Sequence, residues 1–157
     1  MAILVQNLIL AIAFGALMGD WSWGHLSFGF LLGYIILKFT HRDEEGPRYF
    51  SKLWSLLELS VFFFKELFSA SFRVAYDVVT PTHHMKPAII QYPLKAESGL
   101  EITLLANLIS LTPGTLSLDV RPNQKLLFIH TMYLTKPEDL IKEIAEGFER
   151  RVIKLLR

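Results

Sequence analysis

Residues 101–120 read EITLLANLISLTPGTLSLDV, and the architecture of the C-terminal half follows from how that stretch is parsed. Ser98 followed by Glu101 is a capping box, so a helix opens at Gly99 and runs to Leu111. ITLLANLISL is apolar nearly all round, yet it is too short to cross a bilayer, which makes a buried core helix the expected state. Thr112-Pro113-Gly114-Thr115 then turns the chain. Proline lacks the donor that would continue the helix, and glycine can take the positive φ of a tight corner. Thr112 and Thr115 are placed to bond the freed carbonyls, and Asn107, set among apolar neighbours, is expected to find a hydrogen-bond partner inside the fold. These five residues form a candidate structural corner.

Beyond the corner, Leu116, Leu118 and Val120 alternate with Ser117 and Asp119, which reads as a strand over Thr115–Val120. Arg121-Pro122-Asn123-Gln124 supplies a hairpin turn into a second strand, Lys125–Leu134. Upstream, Ala88–Leu94 is a third strand, in which Pro93 must sit on an edge or at the last position. Thr135 with Glu138 reads as another capping box, opening a helix near Lys136 whose apolar residues Leu140, Ile144, Phe148, Val152 and Leu155 recur every three or four positions. Glu138 with Lys142, and Glu146 with Arg150, would pair on its outer side. The order β-α-β-β-α over 88–157 is that of a small α/β sandwich, an antiparallel sheet with two helices on one face.

The N-terminal half has a different chemistry. Of 157 residues 52% are hydrophobic and only 20% charged, so some apolar surface must face something other than water. From Met1 to Leu37 there is no Lys or Arg, and the one acid is Asp20. Two apolar runs, Ala2–Met18 and Phe28–Leu37 with Leu26 and Phe39 at its ends, flank GDWSWGH, where Trp21 and Trp23 are rings that settle at a headgroup boundary. Residues 1–39 are therefore expected to be a transmembrane helical hairpin. A secretory signal would carry basic residues ahead of its apolar stretch, so the segment is expected to be a retained anchor. Residues 40–48 read as a linker, with Asp43, Glu44, Glu45, Gly46 and Pro47 breaking the helix. Residues 49–80 read as a long amphipathic helix, interfacial or spanning, and 81–87 as a second linker. Lys38, Arg42, Arg48 and Lys52 put the first linker in the cytoplasm, and an interfacial long helix keeps the C-terminal domain there too.

The candidate functional residues lie on that long helix. Glu58, Lys65, Glu66, Arg73 and Asp77 fall with Lys52, Ser55 and Ser69 inside an arc of about 140°. The stripe reads either as a solvated or interfacial face or, because it alternates in sign whereas a helix floating on lipid has a Lys/Arg-dominated polar face, as a seam with a neighbouring protein of a complex, for which these five are the candidates. Asp20, in the turn, meets headgroups or water rather than an ion path. His83 and His84 are adjacent and cannot share a face, and His25 and His130 have no visible partner, so no metal site is expected. No phosphate loop, nucleophile elbow or cysteine exists, and no cofactor or enzymatic site is expected. Sixteen basic against fifteen acidic residues leave a net charge of +1, which gives nucleic-acid binding no support.

LLANLISLTPGT, together with FRVAYDVV in the long helix and ERRV at Glu149–Val152, resembles the E component of the multisubunit Mrp/Mnh-type bacterial Na+/H+ antiporters, over nearly the whole chain. The resemblance implies an accessory and assembly subunit of a cation/proton antiporter complex in the cytoplasmic membrane, with the other subunits and the lipid bilayer as partners. The competing reading is a membrane-tethered domain that senses a soluble ligand or ion.

Overall fold

The computed structural model describes residues 2–40, 45–81, 84–121, 123 and 125–157. The chain forms two compact units, Met1–Trp54 and Ser55–Arg157. In the first, α1 (Ala2–Met18) and α2 (Trp23–Thr40) make an antiparallel hairpin. Small residues set its close approach: a Cβ on Gly29 would lie 2.9 Å from the Phe14 Cβ, and one on Gly33 would overlap the Asn7 side chain. Asn7, Ala11, Gly29 and Gly33 are buried in the seam, the small-xxx-small arrangement that lets helices touch without a hydrophobic driving force. The outer surface is almost wholly apolar, with Val5, Ile9, Ile12, Leu31 and Ile36 exposed.

Several expectations for this half change. Among the described residues no helix is long and apolar enough to cross a membrane. The 17 residues of α1 span about 26 Å against about 30 Å of hydrocarbon, so the hairpin expected to be transmembrane is short for a span. The second helix also starts earlier than its apolar run, at Trp23, because Ser22 and Asp20 order its first turn: Ser22 N donates to Asp20 Oδ1 at 3.0 Å and His25 Nδ1 lies 2.9 Å from Asp20 Oδ2. His25 thus has a partner. Glu45, Gly46 and Pro47, expected to break the chain, are the opening of α3 (Glu45–Val79). Proline is tolerated in a first turn because the N–H it lacks would have no intrahelical partner. Arg42, Asp43 and Glu44 of that linker, Thr82 and His83 of the second, and Pro122 and Gln124 of the hairpin turn lie outside the described residues.

In the second unit β1 (Ala88–Pro93), α4 (Gly99–Leu111), β2 (Thr115–Arg121), β3 (Leu126–Thr131), α5 (Pro137–Ile144) and α6 (Arg150–Leu156) give a mixed fold around a three-stranded antiparallel sheet of order β1-β3-β2. β1 is an edge strand and Pro93 its last residue, so the missing N–H removes no ladder bond that matters. Ile90, Tyr92, Leu127 and Ile129 form the buried face and meet Leu105, Leu108 and Ile109 of α4 and Ile144, Phe148 and Val152 of the C-terminal helices. Leu59, Phe62 and Phe63 of α3 join the same core, so a third helix closes the sandwich.

Four details depart from the simple pattern. A register shift between Ser117 and Asp119 places a bulge at Leu118. Ser117 then pairs with Ile129 on the inner face, and Leu116 and Leu118 stay exposed. The helix α4 is buried on one side only, with Leu100 and Leu111 exposed. The capping box expected at Thr135 does not form: Lys136 holds the N-cap position with no side-chain bond, and Pro137 begins the helix. The C-terminal helix is also interrupted by a π turn over Ala145–Glu149. That extra residue per turn rotates the following side chains. Gly147 sits in it against Phe62, where an added Cβ would come within 2.9 Å of Phe62 Cζ.

Candidate functional site

The corner has the geometry that its residue types require. Gly114 has φ +89°, Thr112 Oγ1 donates to the Leu108 carbonyl at 3.0 Å, and Thr115 Oγ1 donates to those of Ile109 at 2.7 Å and Thr112 at 3.0 Å. The Gly114 carbonyl accepts from Met132 N at 2.8 Å, which ties the turn to the end of β3. Asn107 is exposed on the outer side of α4 rather than bonded inside the fold, because Leu105, Leu108 and Ile109 take the inward directions of that helix.

The polar stripe of α3 is turned onto this chain's own domain. Glu58 accepts from Lys154 Nζ at 2.7 Å and pairs with Arg151 Nε at 3.4 Å, while the Arg151 guanidinium stacks 4.0 Å from the Phe62 ring centre. Phe62 meets Phe148 edge-on at 5.1 Å. Arg73 lies over the Tyr133 ring at 5.6 Å. Asp77 is only 4% exposed and stands 3.3 Å from His84 Nδ1. Lys65 points outward and pairs only loosely with Glu66, at 3.7 Å. Glu58, Glu66 and Asp77 thus turn toward the domain while Arg73 lies exposed over Tyr133, and the opposite side of α3, with Leu57, Val61, Phe64, Phe68 and Phe72, is bare.

Stripe and corner meet in one cavity of about 270 Å³, lined by Glu66, Ser69 and Arg73 from α3, Thr112 to Thr115 from the corner, Tyr133, and Asp139 and Glu143 from α5. Desolvation and then the Glu66 carboxylate push the Glu143 acid above its usual range, with Arg73 and Lys65 acting against them. Burial and the neighbouring Asp77 raise the Tyr133 phenol. The arrangement holds charges in fixed opposition. Among the described residues no group of three or more His, Asp or Glu side chains could hold a metal ion.

Two buried carboxylates were not singled out by sequence. Glu149, 1% exposed, accepts from Tyr92 Oη at 2.7 Å, Lys95 N at 2.6 Å and Ala96 N at 2.9 Å. Burial and this carboxylate together raise the Tyr92 phenol far above its usual range. The signal available was Gly147, a glycine in an otherwise continuous helical pattern, which marks either a close approach or a distortion. Glu101, read only as a cap, also accepts from Arg157 Nε at 3.0 Å. That guanidinium and the Glu97 and Ser98 amides lower its carboxyl from 4.5 to about 2.

A family model described as Na+/H+ ion antiporter subunit matches residues 7–155. The chain belongs to that family. It is 31% identical over 154 residues to the E component of the Na+/H+ antiporter of Alkalihalophilus pseudofirmus, covering 98% of both chains. It also resembles a chain of the Mrp complex from Dietzia sp., at 29% identity and a TM-score of 0.50, over 65% of this chain and 96% of that one. A chain of an archaeal membrane-bound sulfane sulfur reductase shares the fold over 96% of both, at 23% identity and a TM-score of 0.57. Within this family member the two buried carboxylates, Glu101 and Glu149, tie distant segments of the C-terminal domain together through Arg157 and through Tyr92, Lys95 and Ala96.

Proposed function

We propose that this protein completes and holds a multisubunit cation/proton antiporter complex in the bacterial cytoplasmic membrane, contributing assembly surface rather than a chemical active site, cofactor or metal. The observation that carries this is the orientation of α3. Glu58, Glu66 and Asp77 turn toward the chain's own domain, and the opposite side keeps an apolar stripe from Leu57 to Val79 that water cannot favourably cover. The hairpin adds a second apolar exterior, and the two together suit lipid and neighbouring subunits. Both helices of the hairpin sit in the bilayer, short as they are, by local thinning or with neighbours filling the mismatch. Lys38 and Lys52 at the membrane-proximal ends favour the cytoplasm for the intervening segment, and an interfacial α3 keeps the C-terminal domain on that side.

The test is recovery of the complex through a tag on another subunit, compared with the amount of this chain in total membranes. Phe64→Glu with Phe68→Glu should reduce recovery while the domain stays folded, since both side chains are exposed. A wild-type chain that purifies alone in mild detergent, with no antiporter subunits, would instead establish the tethered sensor. A cysteine at Asn123 that reacts with an impermeant reagent in intact cells would move the domain to the outside.

A further inference from the structure

The C-terminal end of α3 and the two segments beside it bring basic side chains to one opening. A cavity of about 530 Å³ is lined by Arg73, His84 and Lys86, with Tyr133 and Thr135 as hydroxyl donors. Side-chain contacts position Arg73 and His84, and backbone bonds fix the strand position of Lys86. Arg73 rests over the Tyr133 ring. The backbone of Lys86 is pinned to the end of β3, its N–H donating to the Met132 carbonyl at 2.8 Å and its carbonyl accepting from Leu134 N at 3.0 Å. His84 is oriented through Nδ1 by Asp77, which leaves its other ring nitrogen uncommitted to that contact.

The carboxylates near this opening lie toward the neighbouring cavity, where Arg73 also acts on Glu143. Asp77 is buried and turned to His84, and among the described residues the ion pairs that form include no carboxylate on Arg73 or Lys86. Glu66, Asp139 and Glu143 line the neighbouring cavity, which shares the Arg73, Tyr133 and Thr135 wall. An arginine fork, an ammonium, an imidazole and hydroxyls around one space is the donor set that phosphate oxygens use. The rim supplies the second half of the argument. Phe72 and Val79 are 74% and 79% exposed, and the exposed Tyr76 ring lies 6.3 Å from that of His84. An aromatic and aliphatic rim beside a cationic cavity suits a ligand that is phosphate at one end and hydrocarbon at the other.

We propose that Arg73, His84 and Lys86 bind the phosphate headgroup of an anionic phospholipid whose acyl chains lie along the Phe72–Val79 end of α3. The lipid as source rests on the reading of α3 as a membrane-facing helix, whereas the phosphate chemistry does not.

The experiment titrates phosphatidylglycerol, phosphatidylcholine and inorganic phosphate separately into the full chain in neutral detergent, following the melting temperature as the binding signal. Phosphatidylglycerol should stabilise saturably and phosphatidylcholine should not. Each lost cation should weaken binding about fivefold, so Lys86→Gln gives about a fivefold and Arg73→Gln with Lys86→Gln a roughly 25-fold rise in apparent Kd, while Lys142→Gln leaves it unchanged. Lys86→Gln alters only an exposed side chain and keeps the backbone bonds, so it reports on binding even where the Arg73 change unfolds the domain. Equal response to the two lipids, or unchanged affinity in Lys86→Gln, overturns the site. Saturable stabilisation by inorganic phosphate that depends on Lys86, with none from phosphatidylglycerol, overturns the lipid source and with it the membrane placement of this end of α3. Loss of complex in the Phe64 and Phe68 variants is read independently of any of these results.

Discussion

Gly114→Val puts a β-branched side chain at the corner, and the cost can be built from two observations. The backbone there has φ +89°, a region that non-glycine residues enter at about 1–3 kcal/mol. An ideal Cβ would also stand 3.2 Å from Tyr133 Cε2 and 3.3 Å from Cδ2, so the ring must retreat from its place beside Asp77 and beneath Arg73. Overpacking of this kind adds about 1 kcal/mol or more, and the two branches of valine can only enlarge it. A total of roughly 2–4 kcal/mol in a unit of about 100 residues corresponds to a fall in Tm of about 10–25 °C. Thermal unfolding of the full chain in mild detergent, followed by near-ultraviolet circular dichroism, measures it. Gly99→Ala is the control, because a Cβ there meets nothing within 4 Å and Gly99 opens a helix, so it should be neutral or stabilising by up to about 1 kcal/mol. Gly114→Val melting within two or three degrees of wild type would refute the corner's dependence on positive φ.

Glu149→Gln keeps the shape but removes the charge that strengthens the bonds from Lys95 N and Ala96 N, and its amide N–H faces Tyr92 Oη, which must turn from donor to acceptor. The expected loss is roughly 2–3 kcal/mol, read by chemical denaturation, and an unchanged midpoint would mean that the π turn does not depend on this carboxylate. Because Glu101 is held at about 2 in the folded chain against an ordinary 4.5, its contribution is complete above pH 4.5 and is lost as pH falls through 2. Wild type should therefore lose Tm over that window more steeply than Glu101→Gln, and parallel acid profiles would exclude the Arg157 pairing as the cause. Gly33→Val forces a side chain into Asn7 and Leu10 across the hairpin, so the chain should be depleted from membranes in a pulse-chase of its levels, while Ala13→Val, on no such contact, should persist. Equal lifetimes would show that the two helices do not need close packing.

Much of the C-terminal fold was local in origin and could be read directly. Ser98 and Glu101 form the expected capping box, and the β-α-β-β-α order follows from residue types whose preferences act within a few positions. The single-sided core of α4 and the outward turn of Leu116 and Leu118 were not legible, because apolar residues fit either side of an element until its neighbours are known. The same limit applied to α3. Its polar arc was plain from 100° spacing, but whether that arc met water, a partner or its own domain depended on Lys154 and Arg151, some ninety residues later.

By itself the sequence determined the elements, their order, the family and the positive-φ corner, since each is set by short-range sterics, capping or a specific string. Only the tertiary structure decided that stripe and corner line one cavity, and that Glu149 is buried by a π turn. It also decided that the apolar face of α3 is the one left uncovered. Those outcomes are pairings between distant segments, and the free energy that selects them belongs to the contact and to neither segment alone.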